Sequence, residues 1–341
     1  MSTFSVHKFG TTRDGREIHE IVMEDSAGNR AHLINFGAAI RCLCVKDRDG
    51  ILRDVCLGYD SLREYEEQDG CLGATMGRCT NRTAKARVTL SGRAYKLTEN
   101  RPGYHMHGGK VGFNKKVWDY EIVNDKVVFT YVSPDGEEGY PGTVTAKVLY
   151  SWNGDGTLRI EYDCVSDQET VINLTNHSYF NLNGGGTVLD HTLWLNAERI
   201  TELGEGSIPT GRYIDVEGTP FDFRVMKPIG RDIDAPDAQL AIGSGYDHNF
   251  VLGGKHAATL RGDRSGIEMR VFTDMPGVQF YSANFLGERK GSFGRDFFPR
   301  CAAALETQLF PHAMRCYGFP SPVLRAGVKL HSETKYAFGT Y

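Results

Sequence analysis

Five short stretches of the sequence carry the residue types that acid–base chemistry or the binding of a polar ligand requires. They are GRCTNRT (77–83), YHMHGGKVGF (104–113), VINLTNHSYFNLNGGG (171–186), IGSGYDHNFVL (242–252) and AAALETQLFP (302–311). The third stretch contains one histidine, His177, in a run that alternates like a strand, with Ile172 and Leu174 on the opposite face. From its residue type alone, His177 is best explained as part of a solvated strand face.

Glu306 is a carboxylate at the end of an unusually apolar run. If AAALETQ continues as a strand, Glu306 shares a face with Ala302 and Ala304, whose small side chains leave room for a ligand. A carboxylate in such surroundings is either paired with a cation or has a raised pKa. The run by itself therefore leaves both a structural ion pair and a catalytic carboxylate open.

The HMH element raises the question of a metal site. His105 and His107 are two residues apart and would point the same way on a strand, but the following GGKVGF contains no carboxylate. The missing carboxylate disfavours a metal site, whose only plausible ligands would be His105, His107, His177 and Glu306. The sequence also lacks a nucleophile elbow, a phosphate-binding Walker loop and a dinucleotide fingerprint. We expect neither a metal nor a cofactor.

We expect antiparallel strands to position these residues, because apolar and polar residues alternate with a period of two along much of the sequence. TVTAKVLYSW and TLRIEYDC alternate on either side of an NGDG turn and predict a hairpin, and a second hairpin is indicated at Ser265-Gly266. Helical signals are confined to one or two exposed turns in SLREYEEQDG, ended by Gly70. The long segments 105–118 and 232–248 are predicted to be functional loops. We predict an all-β fold, a large antiparallel β-sandwich, with residues 1–341 as a single domain.

Composition narrows the class of protein. A net charge of −4 argues against broad nucleic-acid binding, and 40% hydrophobic with 24% charged residues is ordinary for a soluble protein. The start has no signal-peptide pattern and no apolar run reaches membrane-spanning length, so we expect a cytoplasmic protein. The eight cysteines include no C-x-x-C pair, and Cys42 and Cys44 share a strand face. We interpret all eight as structural thiols.

The order of the motifs gives the sequence a resemblance to a known family. They are NRT preceded by GR, HGG followed by GF and then W, DGEEGYPG (135–142), NLTNHSYFNL (173–182), TPFDFR (219–224), GYDHNFVL (245–252), GVQFYSANFL (277–286) and LETQ-x-x-P (305–311). In this order, the sequence resembles the aldose 1-epimerases, or galactose mutarotases, from about residue 10 to the C-terminus.

The resemblance implies a β-supersandwich with a sugar groove on the concave face of one sheet. His177 would then line that groove rather than face open solvent, and it matches the family's general acid. Glu306 matches the general base, and His107 matches the second histidine of the site. The residues implied to hold or line the sugar are Asn81, Arg82, Tyr179, Asp247 and Gln279.

The implied reaction interconverts the α and β anomers of free aldohexoses such as galactose and glucose, without a cofactor. Two alternatives stay open: a mutarotase for a pentose or ketose, and a non-catalytic sugar-binding module on the same fold. Tyr104, His312 and Arg315 depart from the family pattern and put the choice of sugar in doubt. The expected partner is a small monosaccharide, and the chain would act as a monomer or homodimer.

Overall fold

The structure is a computed structural model that describes residues 2–341. Its first five strands form an antiparallel meander, here called the N-terminal sheet. Numbered in chain order, as are all later strands, these are β1 (Thr3–Thr11), β2 (Glu17–Glu24), β3 (Arg30–Ile34), β4 (Ala39–Lys46) and β5 (Leu52–Asp54).

The largest sheet of the described residues, here called the large sheet, is antiparallel and has nine strands. Its strands are β11 (Asp119–Val123), β12 (Lys126–Ser133), β13 (Val144–Asn153), β14 (Thr157–Ser166), β18 (Thr192–Leu195), β21 (Lys227–Pro228), β23 (His256–Arg261), β24 (Ile267–Thr273) and β30 (Leu330–Thr340). Their order across the sheet is β11-β12-β13-β14-β30-β24-β23-β18-β21, so the C-terminal strand lies in the middle.

A third antiparallel sheet, here called the site sheet, has the order β17-β28-β25-β22-β19-β20. Its strands are β17 (Tyr179–Phe180), β19 (Ala197–Leu203), β20 (Pro209–Asp215), β22 (Asp247–Leu252), β25 (Gly277–Tyr281) and β28 (Ala303–Gln308). Further short strands pair outside these three sheets: β6 (Thr75–Met76) with β16 (Thr175–Asn176), β7 (Arg82–Ala84) with β10 (Tyr104–Met106), β8 (Arg87–Leu90) with β9 (Arg93–Lys96), β15 (Thr170–Val171) with β29 (Val323–Leu324), and β26 (Arg289–Lys290) with β27 (Asp296–Phe297).

Helix is scarce in residues 2–341. The α-helices are α1 (Leu62–Glu67) and α2 (Ala238–Gly243), and single 3₁₀ turns cover Phe113–Lys115, Glu137–Gly139, Glu205–Ser207, Ile229–Arg231, Ser292–Gly294 and Ala313–Arg315. No helix in this part of the chain has the length and apolar character needed to cross a membrane.

The two predicted hairpins are confirmed. Strands β13 and β14 pair in register from Val144 opposite Ser166 to Asn153 opposite Thr157, and β23 and β24 turn at residues 262–266. The turn predicted in SLREYEEQDG is α1, whose N-cap Ser61 forms a capping box with Glu64. It is less exposed than expected, because it buries two apolar side chains, and it ends three residues before Gly70.

The two segments predicted as long loops are partly regular. Segment 232–248 contains α2, whose first free N–H groups are capped by the carboxylate of Asp237. The other segment, 105–118, begins inside β10 and contains the 3₁₀ turn Phe113–Lys115. The helix was missed because six residues are too few to display a helical period.

The apolar faces of the three sheets meet in one core cluster. It includes Leu43 of the N-terminal sheet, Val148 and Ile160 of the large sheet, and Phe250 and Phe280 of the site sheet, all fully buried. Each such side chain contributes about 1.5–3 kcal/mol by leaving water. The cluster fixes the site sheet against the rest of the β-sandwich.

Arg78 is a buried cation that ties the segment before β7 to the loop after β12. Its Nε donates to Ser133 Oγ at 2.8 Å, and Nη1 donates to Pro141 O at 3.0 Å. Nη2 donates to the carbonyl oxygens of Ser133 and Pro134 at 3.0 and 2.7 Å. A guanidinium fork satisfies this set of diverging acceptors, which a single ammonium group cannot match.

We expect Arg78→Lys to lower the free energy of unfolding by about 2–4 kcal/mol, because buried carbonyl groups lose their charged donors. Urea denaturation of both proteins measures this difference. The matched control is Arg87→Lys, since Arg87 is exposed on β8 and should tolerate the change. Equal losses in the two variants would contradict the structural role of Arg78.

Candidate active site

Glu306 lies on β28, which stands between β17 and β25 in the site sheet. It pairs across the sheet with Gln279 on β25 and is 2% exposed. Strand alternation places its neighbour Leu305 in the core cluster and turns Glu306 to the other face. Ala304 follows the same alternation, so the predicted small-residue surroundings are present on that face.

The interpretation of His177 from its residue type, as part of a solvated strand face, is wrong, because the residue is 5% exposed. It lines the groove, as the resemblance implied. The run around it is broken into the short strands β15, β16 and β17 rather than continuing as one strand. Between β16 and β17, the N–H of His177 donates to Ala74 O and its carbonyl accepts from Gly73 N, both at 2.9 Å. The backbone is thereby paired while the imidazole enters the groove.

Arg82, Asp247 and Gln279 form a buried polar chain. Arg82 Nη2 contacts Asp247 Oδ2 at 3.1 Å, and Gln279 Nε2 donates to Asp247 Oδ1 at 2.7 Å. Asn81 precedes Arg82 with a φ of 59°, and its Oδ1 accepts from the Arg82 N–H at 2.8 Å. Asn tolerates this left-handed backbone better than most residues, which suits it to the position before Arg82.

His107 has a tautomer defined by its backbone partner. The N–H of Asn81 donates to His107 Nδ1 at 3.2 Å, so Nδ1 accepts and the ring proton belongs on Nε2. Burial, the nearby His177 and Arg82 lower the pKa of His107 well below its ordinary value. His107 is therefore a neutral ring that can donate a hydrogen bond from Nε2.

These side chains line one groove of about 710 Å³. Of the eight predicted site residues, the groove wall includes Asn81, Arg82, His107, His177, Tyr179, Asp247 and Glu306. Gln279 is not among the lining residues and lies behind Asp247, so its predicted contact with a ligand stays a prediction.

The groove also includes residues that the sequence reasoning did not assign to it. Tyr281 follows Gln279 by two positions on β25, so the alternation of GVQFY could have found it. Lys115 and Phe285 come from turns and gave no comparable signal. Tyr104, whose identity departs from the family pattern, lies in the groove wall, whereas Arg315 does not.

Three histidines that lie in or near the motifs but were not assigned to the site have hydrogen-bond partners elsewhere. His105 donates from Nδ1 to Thr98 O at 2.6 Å and accepts at Nε2 from the Tyr140 hydroxyl at 2.6 Å. His248 accepts at Nδ1 from the N–H of Asp247, and His312 accepts at Nδ1 from the N–H of Ala84, both at 3.2 Å. Both nitrogens of His105 are occupied, so it does not join His107 as a ligand pair.

Glu306 and His177 face each other with Oε1 and Nε2 3.6 Å apart. Glu306 Oε2, His177 Nδ1 and Arg82 Nε have no hydrogen-bond partner within residues 2–341. Burial raises the pKa of Glu306 to about 8, with Asp247 adding to the rise and Arg82 opposing it. Burial lowers the pKa of His177 to about 4. Near neutral pH the pair therefore holds one proton.

We expect Asp247→Asn to lower the pKa of Glu306, because the substitution removes the nearby anion and leaves the Arg82 cation. Carbon-13 NMR of carboxyl-labelled glutamate, titrated in both proteins and assigned with Glu306→Gln, measures the shift. Asp163→Asn is the matched control, since Asp163 lies on β14 and pairs with Lys329 and His331. An unchanged or higher pKa of Glu306 in Asp247→Asn would contradict the electrostatic coupling.

Comparison with known proteins identifies the family. A family model described as aldose 1-epimerase matches residues 19–337. The galactose mutarotase of Mus musculus is 41% identical over 313 residues, which cover 90% of this chain and 90% of the mouse protein. The aldose 1-epimerase of Escherichia coli (strain K12) is 34% identical over 334 residues, covering 95% and 96% of the two chains.

A solved structure agrees with these sequence relatives. The crystal structure of galactose 1-epimerase from Lactobacillus acidophilus NCFM superposes with a TM-score of 0.89 at 26% identity, covering 100% of this chain and 99% of that one. The predicted all-β sandwich is thereby confirmed. Since the family model spans most of the sequence and close relatives cover nearly all of it, the chain belongs to the aldose 1-epimerase family.

Proposed function

We propose that this protein is a mutarotase that interconverts the α and β anomers of free aldohexoses such as galactose and glucose. One observation carries the proposal: the buried Glu306 carboxylate and His177 imidazole line the same groove with Oε1 and Nε2 3.6 Å apart, beside residue types that bind sugar hydroxyls. Membership of the aldose 1-epimerase family supports the same isomerase chemistry.

The proposed reaction opens the sugar ring by two proton transfers. Glu306 accepts the proton of the C1 hydroxyl, while protonated His177 donates a proton to the ring oxygen as the bond from that oxygen to C1 breaks. The product is the open-chain aldehyde, which rotates about the bond between C1 and C2. Ring closure on the other face returns both protons by the reverse steps, so no atom or electron is gained or lost.

The proton count of the site supports this mechanism. Opening of the sugar ring requires one proton on the pair, with His177 protonated and Glu306 ionised. Ring closure starts from the opposite arrangement, with Glu306 protonated and His177 neutral. The pKa of about 8 for Glu306 and of about 4 for His177 leave the pair with one proton between those values. The proton rests on Glu306 in the free protein, and transfer to His177 gives the reactive form without exchange with solvent.

The surrounding side chains would hold the sugar while C1 turns. Nε2 of His107 donates a hydrogen bond, and the ion pair of Arg82 with Asp247 offers both a donor and an acceptor for hydroxyl groups. Tyr179 stacks on His177 with ring centroids 4.9 Å apart, which restricts the imidazole to one orientation. Asn81 and Gln279 support Arg82 and Asp247 by hydrogen bonds.

The proposal also includes the domain organisation, cellular location, oligomeric state and partners expected from the sequence. The whole chain, residues 1–341, would act as one domain in the cytoplasm on a free monosaccharide, as a monomer or homodimer. No cofactor and no nucleic acid takes part. A net charge of −4 supports the last point, because nucleic-acid binding relies on a basic surface.

We expect the protein to accelerate the mutarotation of freshly dissolved α-D-galactose. In Glu306→Gln the catalysed rate should fall by roughly 10²–10⁴-fold, because an amide cannot accept the C1 proton. Polarimetry against buffer alone measures both rates. Glu333→Gln on β30 is the matched control, since Glu333 pairs with Arg159 and Lys335 away from the groove.

The same assay separates the alternatives. Faster turnover of L-arabinose, D-xylose or a ketose than of galactose and glucose would replace the hexose assignment with the pentose or ketose one. Sugar binding by calorimetry without acceleration of any sugar would refute the enzyme and leave a binding module. Full activity in Glu306→Gln would refute the role of the base.

We expect a bell-shaped pH profile of kcat/KM, falling below about pH 4 and above about pH 8. Below the lower value the pair gains a second proton and the base is lost; above the upper value it loses its only proton and the acid is lost. Polarimetric initial rates, corrected for buffer catalysis at each pH, give the profile. Activity that keeps rising well above pH 8 would contradict the shared-proton mechanism.

A further inference from the structure

A second cluster of chemically active side chains lies on the N-terminal sheet. One ligand atom each from His32, Cys42 and Cys44 falls within 4.8 Å of the others, and the two sulfur atoms are 3.3 Å apart. Within residues 2–341 no other three histidine, cysteine or acidic side chains come together so closely. The sequence interpretation of Cys42 and Cys44 as structural thiols does not account for the histidine beside them.

Cross-strand register creates this cluster. His32 on β3 pairs with Cys42 on β4, whereas the next residue, Leu33, pairs with Ile40. Arg41 is therefore an extra, bulged residue that realigns β4 against β3. Cys44 lies two positions beyond Cys42 and points to the same face. The residues that alternate with them on both strands enter the apolar core cluster. His32, Cys42 and Cys44 therefore lie on the face of the sheet that is turned away from the core.

A carboxylate orients the histidine of this cluster. Glu20 Oε1 lies 3.1 Å from His32 Nδ1 and 2.5 Å from Arg41 Nε. Donation from Nδ1 to the carboxylate leaves the lone pair of Nε2 for another partner. Metal-binding histidines commonly have this second contact, which fixes the tautomer and strengthens the ligand.

We propose that His32, Cys42 and Cys44 form a binding site for Zn²⁺, with Glu20 as the carboxylate that orients the histidine. Two sulfur donors and one imidazole form a ligand set that suits Zn²⁺, whereas harder cations prefer oxygen ligands. Tetrahedral thiolate ligands about 2.3 Å from zinc stand about 3.8 Å apart. In the structure the sulfur atoms are 3.3 Å apart and the three ligand atoms lie within 4.8 Å of one another, which is close to that spacing.

Access and coordination number suit a bound ion. Cys42 is buried, but Cys44 and His32 are partly exposed, with 18% of the His32 side chain accessible. Three protein ligands leave one tetrahedral position for water. Binding replaces the thiol protons of both cysteines, which are released to solvent. The proposal does not rest on the proposed mutarotase function, because none of these residues lines the sugar groove.

The test titrates the reduced full-length protein with Co²⁺ under anaerobic conditions, since Co²⁺ is a coloured substitute for Zn²⁺. We expect one ion per chain, with thiolate-to-cobalt charge transfer and the visible bands of tetrahedral cobalt, both lost on addition of Zn²⁺. Cys44→Ser should abolish the charge-transfer band. Glu20→Gln, which keeps all three ligands, should weaken Zn²⁺ binding by about 10–100-fold.

Two controls make the result specific. Cys316→Ser alters a buried thiol of a separate apolar cluster and should keep the spectrum unchanged. Glu306→Gln should keep it as well; loss of the bands in that variant would place the ion in the sugar groove and overturn the proposal. No charge-transfer band in the parent protein, or the same band in Cys44→Ser, would also overturn it. Either failure leaves the mutarotation assay untouched.

Discussion

The burial of the Glu306 carboxyl group is the physical constraint on which the rest of the site depends. Taking an ionised carboxylate out of water costs several kcal/mol, so its pKa rises to about 8. The same loss of water moves the pKa of the neighbouring His177 in the opposite direction, to about 4. Desolvation thus inverts the usual order of the two pKa values, because a histidine ordinarily titrates above a glutamate. It leaves them one proton to share, which is what a reversible acid–base pair needs near neutral pH.

The polar chain of Arg82, Asp247 and Gln279 sets the field in which that proton moves. Asp247 adds to the rise that burial causes in the pKa of Glu306, and Arg82, the weaker influence of the two, opposes it. Removing one partner of such a buried pair typically costs about 3–5 kcal/mol, since the other charge stays buried without compensation. The pair joins β7 to β22 across 165 positions of sequence. The charges that would bind a sugar therefore also hold the two walls of the groove together.

Strand alternation serves two separate purposes in this molecule. On β28 it directs Leu305 into the core and Glu306 into the groove. On β4 it directs Leu43 into the core and leaves Cys42 and Cys44 on the other face. The strands differ in what stands opposite: Gln279 faces Glu306, whereas a bulge brings His32 opposite Cys42. Cross-strand partners, rather than the strands alone, decide which chemistry each face supports.

The sequence alone determined the strands, the two hairpins and the family, because alternation and turn residues are local and the motifs keep their order; the structure and the known relatives confirm these predictions. It also named seven residues that line the groove, although their roles stay predictions and Tyr281, Lys115 and Phe285 were missed. Only the tertiary structure decided that His177 is buried, because a period of two shows which residues share a face but not whether another sheet covers it. The helix at 238–243 and the cluster of His32 with Cys42 and Cys44 were missed for a related reason: the first is too short for its period to show, and the second depends on a bulge that appears only when β3 and β4 pair.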